Sequence, residues 1–459
     1  MTASSRAVVT TRADRLVVGA VGAITLLLGA IRVGDQAFWY DEVFTSIAVD
    51  QPFGALLRQL RTEAGMYGFY LGLWAWRRLG DAEWWLRMFS VVGAAVAVAG
   101  VWLLAVRIGG RRVAALSVIA LWCNPFFLRN LTELRAYSWT MCLAVLVTLA
   151  VLRFRDAPSS ARAVVWGAGV GVMLGLLAFT VSVVIAQVVV SWRWLFARVN
   201  RGRLLAATAV GTICFLPALP ALLASNQLDW IKPASAALVV RRTMEALGGG
   251  SWAVAVTGGF ALLVVPRVRR SAAARDGWAL LVCVVQTAAV PLVLLVLCLL
   301  QPLFLTRYLT PMLPFALITA VTGYVAVAEA YQRHLIPVVA AALVGLSFIG
   351  FPGSVTVDDR RIEDMRSVAE RVGENFQQSD IVVFDPPRLS YSFEYYWNRT
   401  GRPSVVVDPL SLGAQCRVWL VHNTRGEGDT WDRSQAIFAS EPVETTQHLG
   451  FALTLYDIC

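Results

Sequence analysis

An acidic dipeptide, Asp41-Glu42, ends the run Phe38-Trp39-Tyr40-Asp41-Glu42 just after the first long apolar stretch of the chain. Ionisable groups at the edge of a hydrocarbon layer are costly, so those kept there are functional candidates by default. A carboxylate at a water–membrane boundary can act as a general base, taking a proton from an attacking hydroxyl. An acidic pair at a helix start or an interface is the plainer alternative, and the dipeptide alone does not exclude it.

Two arginine boxes offer the complementary charge. In Glu133-Leu134-Arg135-Ala136-Tyr137, preceded by Asn124-Pro125-Phe126-Phe127, the proline ends one span and the box opens the next. Arg135 can clamp a phosphate bidentately while Glu133 orients it, or the two can form a salt bridge that merely holds the turn. The second box is Thr306-Arg307-Tyr308-Leu309-Thr310-Pro311-Met312-Leu313-Pro314. Arg307 needs an anion there: a lipid phosphate, a headgroup or Glu133, unless it snorkels to the interface. Lys232, the single lysine, sits in Asp229-Trp230-Ile231-Lys232-Pro233 and is a further candidate cation or a plain surface lysine.

The elements that carry these boxes belong to a membrane. A chain of 459 residues that is 57% hydrophobic and 15% charged has apolar runs beyond what an aqueous core needs. Apolar stretches predict about eleven transmembrane helices, near 15–33, 86–106, 113–128, 138–152, 163–179, 181–196, 204–223, 251–266, 278–300, 309–331 and 335–351. The net charge of +10 is almost wholly arginine. Those arginines fall in short loops on one side (Arg12, Arg15, Arg107, Arg111, Arg112, Arg153, Arg155, Arg193, Arg198, Arg267, Arg333), which marks that side as cytoplasmic. Nucleic acid is not the expected partner. The opposite, extracytoplasmic side then receives the segment 34–85, the turn at 129–137, the segment 224–250, the link 301–308 and the tail after 352.

The expected organisation is a transmembrane domain over 1–351 and an extracytoplasmic α/β domain over 357–459. Within the first, residues 51–63 and 65–79 read as two surface helices, with Tyr67, Tyr70, Trp74 and Trp76 interleaved with Arg77 and Arg78. A further span at 66–80 is the alternative. In the tail, short β-rich runs at 380–384, 404–407, 416–422 and 449–456 alternate with polar stretches. Asp358 is placed to cap a helix over 359–376. Five of the seven cysteines lie in or beside apolar spans as small hydrophobes. Cys416 and Cys459 both fall in the tail, where a disulfide can join the start of one strand to the end of the last. The only histidines, His334, His422 and His448, lie outside the boxes, so neither a histidine base nor a histidine metal site is expected. No metal or other cofactor is required. A divalent ion on Asp41, Glu42 and Glu133 stays open.

The boxes follow a familiar order on one face. The Trp-Tyr-Asp-Glu box after the first span, the paired surface helices, Asn-Pro-Phe leading to Glu-x-Arg-x-Tyr, and the late Arg-Tyr-Leu-x-Pro box resemble the GT-C superfamily of membrane glycosyltransferases. The likeness is to the branch with protein O-mannosyltransferases and bacterial lipid A aminoarabinose transferases, and it covers Ala37 to about Pro314. It implies a mainly α, polytopic fold in a bacterial plasma membrane and an enzyme that uses a polyprenyl-phosphate sugar donor. Asp41 would be the general base. Glu42, Glu133, Arg135, Tyr137, Arg307, Tyr308 and Lys232 would bind substrate, with Arg135 and Arg307 on the donor phosphate. The acceptor would be a glycan, glycolipid or protein of the cell envelope. One departure concerns the second surface helix, where relatives often carry an acidic residue and His-Pro-Pro. Here the stretch reads Glu63-Ala64-Gly65-Met66-Tyr67-Gly68-Phe69-Tyr70, without histidine, so sugar specificity does not transfer. A transporter or flippase of lipid-linked sugars is the competing reading. It predicts ionisable residues near the midplane and related halves of the chain, and the sequence displays neither. A third reading, an envelope scaffold, leaves the outer carboxylate without a role.

Overall fold

The computed structural model describes residues 12–34, 36–62, 65–223, 235–265, 275–300, 304–331, 334–354, 363–377, 380–402, 417–424, 442–448 and 450–457. The chain forms two compact units: Met1–Val33 with Pro52–Val355, and Gly34–Gln51 with Thr356–Cys459.

In chain order the helices are α1 (Arg12–Val33), α2 (Tyr40–Asp50), α3 (Phe53–Gln59), α4 (Tyr67–Arg77), α5 (Glu83–Trp122), α6 (Pro125–Leu131), α7 (Tyr137–Asp156) and α8 (Ser160–Leu176). They continue as α9 (Val181–Leu195), α10 (Arg201–Phe215), α11 (Leu219–Leu223), α12 (Ala236–Ala246), α13 (Gly250–Leu262), α14 (Gly277–Leu300), α15 (Leu313–Ala330) and α16 (Leu335–Ser354). A 3-10 segment, Thr306–Met312, leads into α15. Among the described residues, seven helical stretches are long and apolar enough to cross a membrane, and α8, α13 and α16 supply shorter apolar helices. Each expected span overlaps a helix. Two of them, 86–106 and 113–128, share α5, whose 40 residues exceed one crossing and break at Gly110, where φ is +82°. Residues 53–59 and 67–77 are helical as expected of the surface pair.

Burial separates centre from periphery. The stretch Thr306–Ala330 is 89% buried and packs on α5 and α13, whereas α1 and α10 bury only 22% of their apolar windows. Their outward side chains, Leu27 and Ile31 on α1 and Leu205 and Ile213 on α10, are exposed apolar surface suited to lipid.

One end of this unit gathers the arginine-rich loops. Arg107 bonds Asp156 through both terminal nitrogens, at 2.5 and 2.8 Å, and Asp276 through Nε at 2.7 Å. Arg111 meets Asp14 at 2.9 Å and Arg112 approaches Glu329 at 3.9 Å. These arginine-rich loops thus form a physical cluster, in which half-buried carboxylates offset a bidentate guanidinium. In the interior, Thr148 on α7 accepts from Gln187 of α9 and Gln286 of α14, and Gln187 accepts from the Trp166 indole of α8. These groups are uncharged amides and hydroxyls bonded to one another, so they tie four helices together.

Helices α8 and α10 approach backbone to backbone through Gly167-x-x-x-Gly171 and Ala207-x-x-x-Gly211. A Cβ on Gly171 would stand 2.1 Å from the Gly211 carbonyl oxygen. Backbone cannot swing aside as a side chain can, so Gly171→Val is expected to cost about 2 kcal/mol or more. A lower thermal midpoint and folded yield in detergent check this.

The second unit is a four-stranded sheet with helices α17 (Met365–Asn375) and α18 (Leu389–Arg399). Among the described residues the strand order is β1 (Ile381–Asp385), β2 (Arg417–Asn423), β4 (Phe451–Asp457), β3 (Pro442–His448). β1 and β2 run parallel and the other pairs antiparallel. α17 starts at Met365 and is capped by Asp364, whose Oδ1 accepts from Ser367 N at 3.1 Å. The cap expected at Asp358 lies outside the described residues, as does 404–407. β3 is an additional edge strand. α2 belongs to this unit because aromatic side chains of α18 receive it. Tyr391 lies 6.0 Å from Tyr40 and 6.1 Å from Phe44, and Phe38 N–H donates to Tyr396 Oη at 2.5 Å.

Candidate functional site

A cluster of cationic candidates lies in the first unit, where two sequence-distant boxes meet at the start of α7. Asn124 builds the approach. Its Oδ1 accepts from Phe126 N and Phe127 N at 3.0 and 3.1 Å, capping α6, while its Nδ2 donates to Leu247 O at 2.9 Å. The Asn-Pro-Phe box is therefore a cap and a tether. After α6 the chain turns sharply, with Arg135 N–H donating to Glu133 O at 2.7 Å and Ser90 Oγ donating to Arg135 O at 3.3 Å. These bonds fix the backbone of Glu133 and Arg135 just ahead of Tyr137.

Arg307 arrives from the 3-10 segment, which packs against α7. Its guanidinium carbon stands 5.9 Å from the Tyr137 ring centroid, a cation–π arrangement. Thr310 Oγ1 donates to Arg307 O at 2.5 Å, and Tyr308 packs on Phe179 with the rings tilted by 31° and centroids 4.4 Å apart. Arg307, Arg135, Glu133 and Tyr308 all act electrostatically on Tyr137, which is 1% exposed. The Tyr137 hydroxyl has no hydrogen-bond partner among the described residues. Glu133 is 2% exposed, whereas Arg135 and Arg307 are half-buried. A guanidinium over the ring and a second one two residues before Tyr137 are groups that can hold an anionic oxygen.

The carboxylates belong to the second unit. Asp41 and Glu42 occupy the first turn of α2, where the helix dipole favours negative charge. Asp41 is half-buried and Glu42 is 1% exposed. Glu363, unread from the sequence, accepts from Tyr40 N–H at 2.8 Å in the same turn. Burial raises the Glu363 carboxyl above its ordinary value and the Asp41 charge adds to this, against the Tyr40 N–H and Arg388.

Of the remaining candidates, Lys232, Cys416, Cys459 and Glu63 lie outside the described residues. Of the other five cysteines, Cys142 and Cys283 are buried thiols. Among the described residues no group of three or more His, Cys, Asp or Glu side chains is placed to hold a metal ion. Asn130, in an Asn-x-Thr triplet, is 3% exposed and donates to Phe126 O, as a helix-internal tie.

No protein-family model matches the chain, and no curated protein sequence does. Solved structures do. ArnT from Cupriavidus metallidurans bound to undecaprenyl phosphate superposes with a TM-score of 0.63 at 14% identity, covering 97% of this chain and 98% of that one. Its apo form gives the same score and identity over 96% and 98%. Arabinofuranosyltransferase AftD from Mycobacteria gives 0.51 at 15% identity, over 99% of this chain and 40% of its own. The chain therefore adopts the polytopic fold of the ArnT structure along nearly its whole length.

Proposed function

We propose that the protein transfers a sugar from a polyprenyl-phosphate donor to a cell-envelope glycolipid, polysaccharide or protein acceptor on the outer face of a bacterial plasma membrane. The observation that supports this reading is Arg307 over the ring of the buried Tyr137, whose box also carries Arg135. The likeness to ArnT, whose structure holds undecaprenyl phosphate, gives those cations a fitting ligand class.

The reaction is a single displacement. An acceptor hydroxyl oxygen attacks the anomeric carbon and its proton passes to the Asp41 carboxylate. The bond from that carbon to the phosphate oxygen breaks, its electron pair leaves on the polyprenyl phosphate, and the anomeric configuration inverts. Arg135 and Arg307 meet the charge that develops on the leaving phosphate, with Glu133 orienting Arg135 and with Tyr137 and Tyr308 lining the phosphate. Glu42 and Lys232 serve the acceptor and the donor headgroup. The chemistry needs no metal when two guanidinium groups neutralise the leaving phosphate.

The test incubates purified protein with undecaprenyl-phosphate-linked sugars extracted from bacterial membranes and follows release of undecaprenyl phosphate by mass. Release that depends on Asp41 supports the reading. Donor bound or moved across vesicles without cleavage overturns it in favour of transport.

A further inference from the structure

We infer that Glu363, contributed by the tail, is a positioning residue for Asp41: it anchors the first turn of α2 and thereby holds the Asp41 carboxylate where it works. This rests on the reading of Asp41 as the base.

The first N–H groups of a helix have no partner within it. At α2 the residue before the helix, Trp39, provides no side-chain cap. Glu363 lies 323 positions away in sequence, yet its Oε2 accepts from Tyr40 N–H at 2.8 Å and supplies a capping charge from a distant segment. Tyr40 is the residue next to Asp41, so this bond fixes the peptide that carries the candidate base. The rest of α2 is held from the same unit, by the rings of Tyr391 and by Ser46 Oγ at 3.1 Å from Tyr395 Oη. The groups that act on the Glu363 carboxyl besides the Tyr40 N–H are Asp41 and Arg388. The Asp41 charge therefore bears on the Glu363 carboxyl, with Arg388 acting in the opposite sense. This gives the tail a part in the chemistry: residue 363 precedes α17, so the folded α/β unit delivers it to the turn.

Three variants test this with undecaprenyl-phosphate-linked sugars extracted from bacterial membranes. Displacement of a reacting group by about 1 Å costs on the order of a hundredfold in rate. Glu363→Ala is therefore expected to lower kcat about 10- to 100-fold with donor KM unchanged. Glu363→Gln keeps an oxygen that can accept from Tyr40 N–H and should stay within about threefold of the parent enzyme. As a reading independent of turnover, the pH midpoint for carbodiimide labelling of Glu363, followed by peptide mass, should fall in Asp41→Asn, because a like charge has gone. Parent kcat in Glu363→Ala, or an unmoved labelling midpoint in Asp41→Asn, overturns the inference. Should Glu363→Ala not fold, the labelling midpoint and the Glu363→Gln kinetics still decide. Full turnover in Asp41→Asn instead removes the base reading itself, and this inference with it.

Discussion

Asp41→Asn is expected to lower turnover by about 10²- to 10⁴-fold, the range supplied by a positioned general base. The substitution is nearly isosteric and removes only the ability to take a proton. It should leave the fold intact, since Asp and Asn both suit a helix N-terminus and the bond from Thr45 Oγ1 goes to the Asp41 backbone oxygen at 2.7 Å. Proton transfer occurs in the transition state, so kcat and kcat/KM should fall together while donor affinity holds. In the proposed mechanism donor affinity is supplied by other residues, Arg135 and Arg307. The measurement is steady-state release of undecaprenyl phosphate beside a binding titration with undecaprenyl phosphate alone. Unimpaired turnover would exclude Asp41 as the base, whereas joint loss of turnover and binding would reassign it to the donor pocket. Asp41→Glu moves the carboxylate by one methylene and should retain part of the activity. That separates the carboxylate's chemistry from its charge.

The sequence makes the spans legible because a crossing helix must satisfy its backbone internally and be apolar along its length. It also exposes Arg135 and Arg307, since a guanidinium beside an apolar span has no cheap alternative to an anion. Much else depends on contacts that no local pattern encodes. That α2 packs with the tail follows from Tyr391, Tyr395 and Tyr396 on α18. Their clustering in Ser390-Tyr391-Ser392-Phe393-Glu394-Tyr395-Tyr396-Trp397 was the available signal for a helix that receives another aromatic segment. Glu363 is missed for the same reason, as its partner is a backbone N–H more than three hundred residues away. The close crossing of α8 and α10 was visible in principle as small residues four apart. Strand β3, Pro442-Val443-Glu444-Thr445-Thr446-Gln447-His448, escapes because an edge strand with little burial carries no apolar alternation. Its recruitment is tertiary, through pairing with β4 and the ion pair between Glu444 and Arg371 of α17. Asp364 caps α17 through the Ser367 N–H, a local pairing that the apolar period of Met365, Val368 and Val372 does not single out.

Arg135→Gln and Arg307→Gln are each expected to lower kcat/KM for the donor about 10- to 150-fold. A hydrogen bond to a charged group contributes about 1.5–3 kcal/mol, and every 1.4 kcal/mol is tenfold. Both guanidinium groups would serve one phosphate, so the double variant should lose less than the product of the single losses. Independent, multiplicative losses would mean that the two arginines bind different groups. Arg307→Lys should recover little, because an ammonium lacks the planar fork that lies over the Tyr137 ring and pairs with phosphate oxygens. Tyr137→Phe isolates the remaining contribution. The hydroxyl is buried without a hydrogen-bond partner among the described residues, so its removal should leave thermal stability unchanged or slightly raised. If the same variant binds undecaprenyl phosphate more weakly, the hydroxyl finds its partner in the donor, and the site is built for an anionic oxygen that only the bound lipid supplies. If binding and turnover are both unaffected, Tyr137 serves as the ring that seats Arg307, and phosphate recognition rests on the two guanidinium groups.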